Sequence, residues 1–176
     1  MVFNEVHYRR DKGNINLNEG IQVLRNAVRA VIIQGNQILM AHLGKTDEYK
    51  FPGGGRKDHE TSDEALKREV LEEVGYKIKK INKRIGLITE YDNAKEGKDY
   101  YFKMISEYYL VEIENEQLEQ KLEEDEKELQ YKPCWVEIMK AYMTNKDKIE
   151  KKCDTTPGIF RETIALEKII NEYFRE

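Results

Sequence analysis

Gly54-Gly-Arg-Lys-Asp-His-Glu60-Thr-Ser-Asp-Glu-Ala-Leu-Lys-Arg68-Glu69-Val-Leu-Glu72-Glu73-Val-Gly75-Tyr76 is the most informative stretch of the chain. It predicts a helix with both ends marked. Thr61 followed three residues later by Glu64 forms a capping-box pattern, in which each side chain satisfies a backbone N–H of the first turn. Ala65, Leu66, Val70 and Val74 recur at helical spacing and supply an apolar stripe. Gly75 follows as a residue free to adopt the left-handed conformation that ends a helix. Glu69, Glu72 and Glu73 stand at i, i+3 and i+4, so they share a face away from the stripe at 66, 70 and 74. Like charges at that spacing repel by a few tenths of a kcal/mol per pair. A hard divalent cation compensates such a cluster, because Mg²⁺ and Mn²⁺ prefer carboxylate oxygens.

Phe51-Pro52-Gly53-Gly54-Gly55 enters this helix. Proline removes a backbone donor and the glycines permit close backbone approach, so the run is a loop. The helix end that follows carries partial positive charge and favours anions. An anion-tolerant loop beside metal-binding carboxylates is an arrangement suited to a phosphorylated substrate, since the metal inverts the sign of the site.

Further out, residues 27–33 are apolar at both parities and predict a strand buried on both faces. Gln34-Gly35-Asn36 supplies a turn, and 37–43 returns as a second strand. Strands are expected near 85–91 and 100–113, a short one at 134–136, and a short helix over 137–143. A C-terminal helix is expected near 157–175, capped by Thr156 with Pro157 at its first position. Strands and helices mix without regular βαβ alternation. The expected fold is therefore α+β, an α/β/α sandwich around a central mixed sheet, in a single domain over 1–176.

Composition narrows the class. The chain has 176 residues, 36% of them charged, and a net charge of −4. Its mean hydropathy is −0.80, and no apolar run approaches the ~20 residues of a membrane span. The first ten residues lack an apolar signal core, so the expected setting is cytoplasmic, with no membrane association. Cys134 and Cys153 are far apart and form no CxxC, in keeping with reduced thiols. Three scattered histidines do not suggest a zinc site. Segment 112–128 concentrates acids, and no basic stripe suggests a nucleic-acid polymer as partner.

Residues 54–76 resemble the Nudix hydrolase signature G-x5-E-x7-R-E-U-x-E-E-x-G-U, where U is a bulky aliphatic residue. Gly54, Glu60, Arg68, Glu69, Val70, Glu72, Glu73 and Gly75 match in register, and only Tyr76 departs. The resemblance implies a Nudix-like fold and hydrolysis of a phosphoanhydride bond in a nucleoside diphosphate linked to another group, with Mg²⁺ or Mn²⁺ as cofactor. It implies metal ligation by Glu69, Glu72 and Glu73, with the Gly54 carbonyl a further candidate. Arg68 joins those glutamates as a candidate catalytic-site residue, while Glu60 and Gly75 support the motif loop. A catalytically silent nucleotide-binding module on the same fold is the alternative, but such a module should have lost an acid, and none is missing. A prenyl diphosphate isomerase would want a reactive cysteine, for which Cys134 is the available residue.

Weaker candidates lie outside the motif. Arg29 sits in an apolar strand, where it either reaches a substrate phosphate or makes a structural ion pair. Glu126 and Glu128 are candidates for an additional ligand or base, against a solvated role. Trp135 and the tyrosines could stack a base or fill the core. Lys77, Lys79, Lys80, Lys83 and Arg84 form a basic patch read as a solvated strand face. Tyr91, a short way past the motif, leans slightly towards dinucleoside polyphosphates over ADP-ribose.

Overall fold

A computed structural model describes residues 2–8, 21–93 and 100–174. The strands are β1 (Phe3–Tyr8), β2 (Ile21–Val31), β3 (Ile33–Gln34), β4 (Gln37–Leu43), β5 (Glu48–Lys50), β6 (Tyr76–Asn93), β7 (Tyr100–Gln117) and β8 (Tyr131–Glu137). The helices are α1 (Ser62–Val74), α2 (Glu124–Glu128), α3 (Ile138–Glu150) and α4 (Ile159–Tyr173).

One four-stranded sheet runs β1-β6-β7-β2. It is mixed, because β1 and β2 run parallel to their neighbours while β6 and β7 are antiparallel. In a second sheet β4 pairs antiparallel with β3, β5 and β8. Alternating residues of β2 and β4 point to opposite faces, as a strand requires. Val28, Ala30, Leu39, Ala41 and Leu43 pack with Leu66, Val70 and Val74 of α1. Val31, Ile38 and Met40 pack instead with Leu166 and Ile169 of α4 and Ala141 of α3. Two cores on the two faces make the α/β/α sandwich that the sequence predicts.

The ends of α1 follow the sequence reading. Thr61 Oγ1 accepts from Glu64 N–H at 3.2 Å, and the Glu64 carboxylate accepts from Thr61 N–H at 2.8 Å. Gly75 closes the helix at φ 76°. Elsewhere the extents change. The strands expected near 85–91 and 100–113 are the two arms of an 18-residue antiparallel pair, and the helix expected over 137–143 continues to Glu150. The C-terminal helix begins at Ile159 with Gly158 as its N-cap, and Arg175 lies outside the described residues. Thr156 does not cap it. Its hydroxyl and N–H both donate to the buried Glu48 carboxylate, each at 2.7 Å, which holds Thr156 three residues ahead of the helix. Among the described residues, no helix is long and apolar enough to cross a membrane.

Leu66 is fully buried between α1 and the sheet. Leu66→Ala is expected to lower unfolding free energy by about 3 kcal/mol, read by chemical denaturation.

Candidate active site

The glycine-rich loop is laid along β2 by backbone bonds. Ala30 N–H donates to Pro52 O at 2.8 Å, Val28 N–H to Gly54 O at 3.0 Å, and Arg56 N–H to Asn26 O at 2.9 Å. Two glycines are required by contact. At Gly53, with φ +144°, a Cβ would lie 2.0 Å from Val28 O. At Gly54 a Cβ would lie 2.6 Å from Glu69 Oε1. The missing side chains let the loop press between β2 and the carboxylate face of α1.

That face is not solvated. Glu69 is 7% exposed and Glu73 3%. Glu73 Oε2 accepts from Gly53 N–H at 2.6 Å, so the loop backbone orients it directly. A third carboxyl arrives from a distant segment: Glu126 of α2 is half-buried, and carboxylate oxygens of Glu69, Glu73 and Glu126 lie within 4.8 Å of one another. Burial pushes Glu69 and Glu126 above the usual carboxylate range, and Glu73 up to about 8. Glu72 is not in this group. It is half-buried one step around the helix, and its Oε2 accepts from Arg68 Nη1 at 3.2 Å. Glu128 is exposed.

Arg68 fastens the motif to itself. Its Nε and Nη2 donate to the two oxygens of Glu60 at 2.6 and 2.8 Å, a bidentate pairing. Nη1 donates to Glu69 at 2.6 Å and Nη2 to the Gly55 carbonyl at 3.1 Å. The Arg68 guanidinium and the Lys57 N–H hold the Glu60 carboxyl down at about 2. Arg68, which the sequence reading places among the catalytic-site candidates, thus bonds to Glu60, Glu69, Glu72 and the loop backbone.

The carboxylates open into a cavity of about 490 Å³. Arg29 lines it, 5% exposed, with Nη1 donating to the Gly53 carbonyl. Its hydrogen bond thus goes to the loop backbone, while Glu69 stands close enough to feel its charge. Lys50, which the sequence did not single out, also lines the cavity and donates to the Tyr131 hydroxyl. Burial lowers Lys50 and raises Tyr131, with the Glu73 charge acting on both. Pro157 and Arg161 supply a further wall, and Arg161 is tied to Glu90 and Glu162 at 2.6 Å each. No local spacing announces these residues, because strand pairing and helix docking bring them together from distant segments. Trp135 packs against the α1-side core, and Tyr91 lies 6.4 Å from the Tyr101 ring; neither lines the cavity. Lys77, Lys79, Lys80, Lys83 and Arg84 are exposed, as a solvated strand face requires.

Three convergent carboxyl groups whose charge burial opposes are a fitting donor set for a hard divalent cation. Glu69, Glu73 and Glu126 could hold one, and the Gly54 carbonyl, which accepts a single backbone bond, adjoins Glu69. Without metal, the folded protein keeps a proton on Glu73 that the unfolded chain releases near pH 4. The associated stability is complete below the unfolded value and is lost as pH rises through about 8. Chelator-treated protein is expected to lose stability between about pH 5 and about pH 8.5, and Glu73→Gln to lose less, as denaturation at both pH values would show.

Known proteins resemble this chain in family and in fold. The NUDIX domain family matches residues 23–154, three quarters of the chain. No curated protein sequence gives a match. Among solved structures, the MutT NUDIX hydrolase of Burkholderia pseudomallei is 16% identical, with 84% of this chain and 98% of that one covered at a TM-score of 0.54. The solution structure of the E. coli ORF135 protein is 14% identical, with 87% and 95% covered at 0.53. The mutator MutT protein of Bacillus halodurans is 20% identical, with 81% and 82% covered at 0.51. At these identities the structures speak for the fold alone, whereas the match across 23–154 establishes that the chain belongs to the NUDIX domain family.

Proposed function

We propose that this chain is a hydrolase that uses Mg²⁺ or Mn²⁺ to cleave a phosphoanhydride bond in a nucleoside diphosphate linked to another group. The observation that carries this reading is the convergence of Glu69, Glu73 and Glu126 within 4.8 Å at the glycine-rich loop. Oxygen-only ligands suit either ion, and among the described residues no histidine or cysteine joins the group to favour zinc. When bound, the ion supplies positive charge against the diphosphate and acidifies water.

The chain's own residues do the rest. Glu69 and Glu73 hold the cation from one helix face, with Glu126 closing the site from α2. Glu72, bonded to Arg68 and at the edge of the same face, is within the proposed ligand set only after a shift of its side chain. Arg68 orients Glu69, and Glu60 fixes Arg68, so the arginine is a positioning residue. Gly53 N–H aims Glu73. A carboxylate of this group takes the proton from the attacking water. Arg29, which lines the same cavity, offers its charge to a substrate phosphate.

The substrate is a small nucleotide, and no nucleic-acid polymer or membrane is required. We take the chain to work as one domain in which α4 is integral, since Glu162 of that helix accepts from Phe51 N–H at 3.0 Å. Free Cys134 and Cys153 suit the reducing cytoplasm proposed as its setting.

A screen of nucleotides with Mg²⁺ and Mn²⁺, read as phosphate or mononucleotide release, tests the activity. On any cleaved substrate, Glu73→Gln is expected to lower kcat by roughly 10²-fold or more, since each 1.36 kcal/mol of lost transition-state stabilisation is tenfold in rate. Glu126→Gln is expected to lower it by at least about tenfold. Near-wild-type turnover in both variants, or no cleavage of any nucleotide with either ion, would overturn the proposal and favour a silent module.

A further inference from the structure

Two basic side chains that the carboxylate group does not employ lie along one strand. Arg25 and Arg29 are four residues apart in β2, so they share a strand face, and both line the cavity. At ~3.3 Å per residue their Cα atoms are separated by roughly 13 Å. Between them Ala27 bridges to Gly55 of the loop. Arg29 forms the inner end. It is 5% exposed, and its Nε is buried with no hydrogen-bond partner among the described residues. A buried, unsatisfied guanidinium N–H carries a desolvation penalty that a bound anion would offset. Arg25 forms the exposed outer end, with its guanidinium against Gly55, where a Cβ would come within 2.9 Å of Nε. Lys57 lines the same cavity. The described ion pairs engage none of these three cations.

A guanidinium fork matches phosphate oxygens two at a time, and an ammonium serves as a point charge. The track they make is longer than a single anhydride linkage needs. We propose that Arg29, Arg25 and Lys57 form a second anion subsite running outward along β2, and that it selects substrates whose polyphosphate chain exceeds two phosphates. This deepens the hydrolase reading and rests on it for the phosphates at the inner end. The rival occupant is a nucleobase, because Phe102 and Met104 also line the cavity and Met104 lies opposite Arg25 in the β2–β7 register.

Binding of inorganic pyrophosphate, inorganic tripolyphosphate and a nucleoside monophosphate is measured by calorimetry at fixed ionic strength, in chelator and again with Mg²⁺. The proteins are wild type, Arg25→Gln, and Lys83→Gln as a control for general charge. Wild type is expected to prefer tripolyphosphate over pyrophosphate by about tenfold, and Arg25→Gln to lose that preference while pyrophosphate affinity holds within about twofold. Lys83→Gln should match wild type. Equal wild-type affinities, an equal loss for Lys83→Gln, or a loss confined to the nucleoside monophosphate would each overturn the subsite. Since binding is read without turnover, a failed nucleotide screen leaves this result standing, and a failed preference leaves the screen standing.

Discussion

The Arg68 guanidinium holds the loop and helix of the motif in one geometry. Glu60, Glu69, Glu72 and the Gly55 carbonyl all accept from it. Without a cation among them, Glu60 of the loop and Glu69 and Glu72 of the helix would repel one another. With it, Glu69 is fixed beside Gly54, and the loop is fixed to the helix it precedes. The planar fork matters, because a lysine could not serve both Glu60 oxygens and the remaining acceptors at once.

Burying acids in this way is unfavourable unless something answers their charge. Arg68 answers for Glu60 and in part for Glu69, whereas Glu73 accepts from the Gly53 N–H and lies near Lys50. The site thus gathers carboxyl groups whose ionisation burial opposes and a bound divalent cation would favour. On β2 Arg29 is buried, and its Nε lacks a hydrogen-bond partner among the described residues. An acidic end and a basic end within one cavity give a polar axis. A charged ligand carrying its own divalent ion fits such an axis at both ends.

The frame around this axis comes from both sheet faces. β2 carries the loop on its edge and sends alternate side chains to two cores. α4 reaches the same loop from the other face, through Glu162 to Phe51 N–H and through Arg161 at the cavity wall. Thr156, bonded to Glu48, fixes the turn between them.

The sequence by itself determined what local physics controls. The capping box, the apolar stripe of α1 and the glycine at its end depend on spacings within a few residues and stand as expected, while of the acids expected on one face Glu69 and Glu73 converge and Glu72 bonds to Arg68. The apolar residues at both parities of 27–33 likewise pointed to a strand with a layer on each face. Tertiary structure decided what long-range pairing controls. Among nine acids in 112–128 the sequence names Glu126 and Glu128 as candidates without separating them; the path of β7 and the turn of α2 bring Glu126 to Glu69 and Glu73 and leave Glu128 exposed. Thr156 and Pro157 read as a helix start, yet a buried carboxylate 108 residues away bonds to the threonine and moves the start to Ile159. Lys50, Tyr131 and Arg25 carry no motif and become neighbours of the site only because strands from separate parts of the chain pair there. Spacing encodes which side chains share a face, but which faces meet is set by the burial of the whole core.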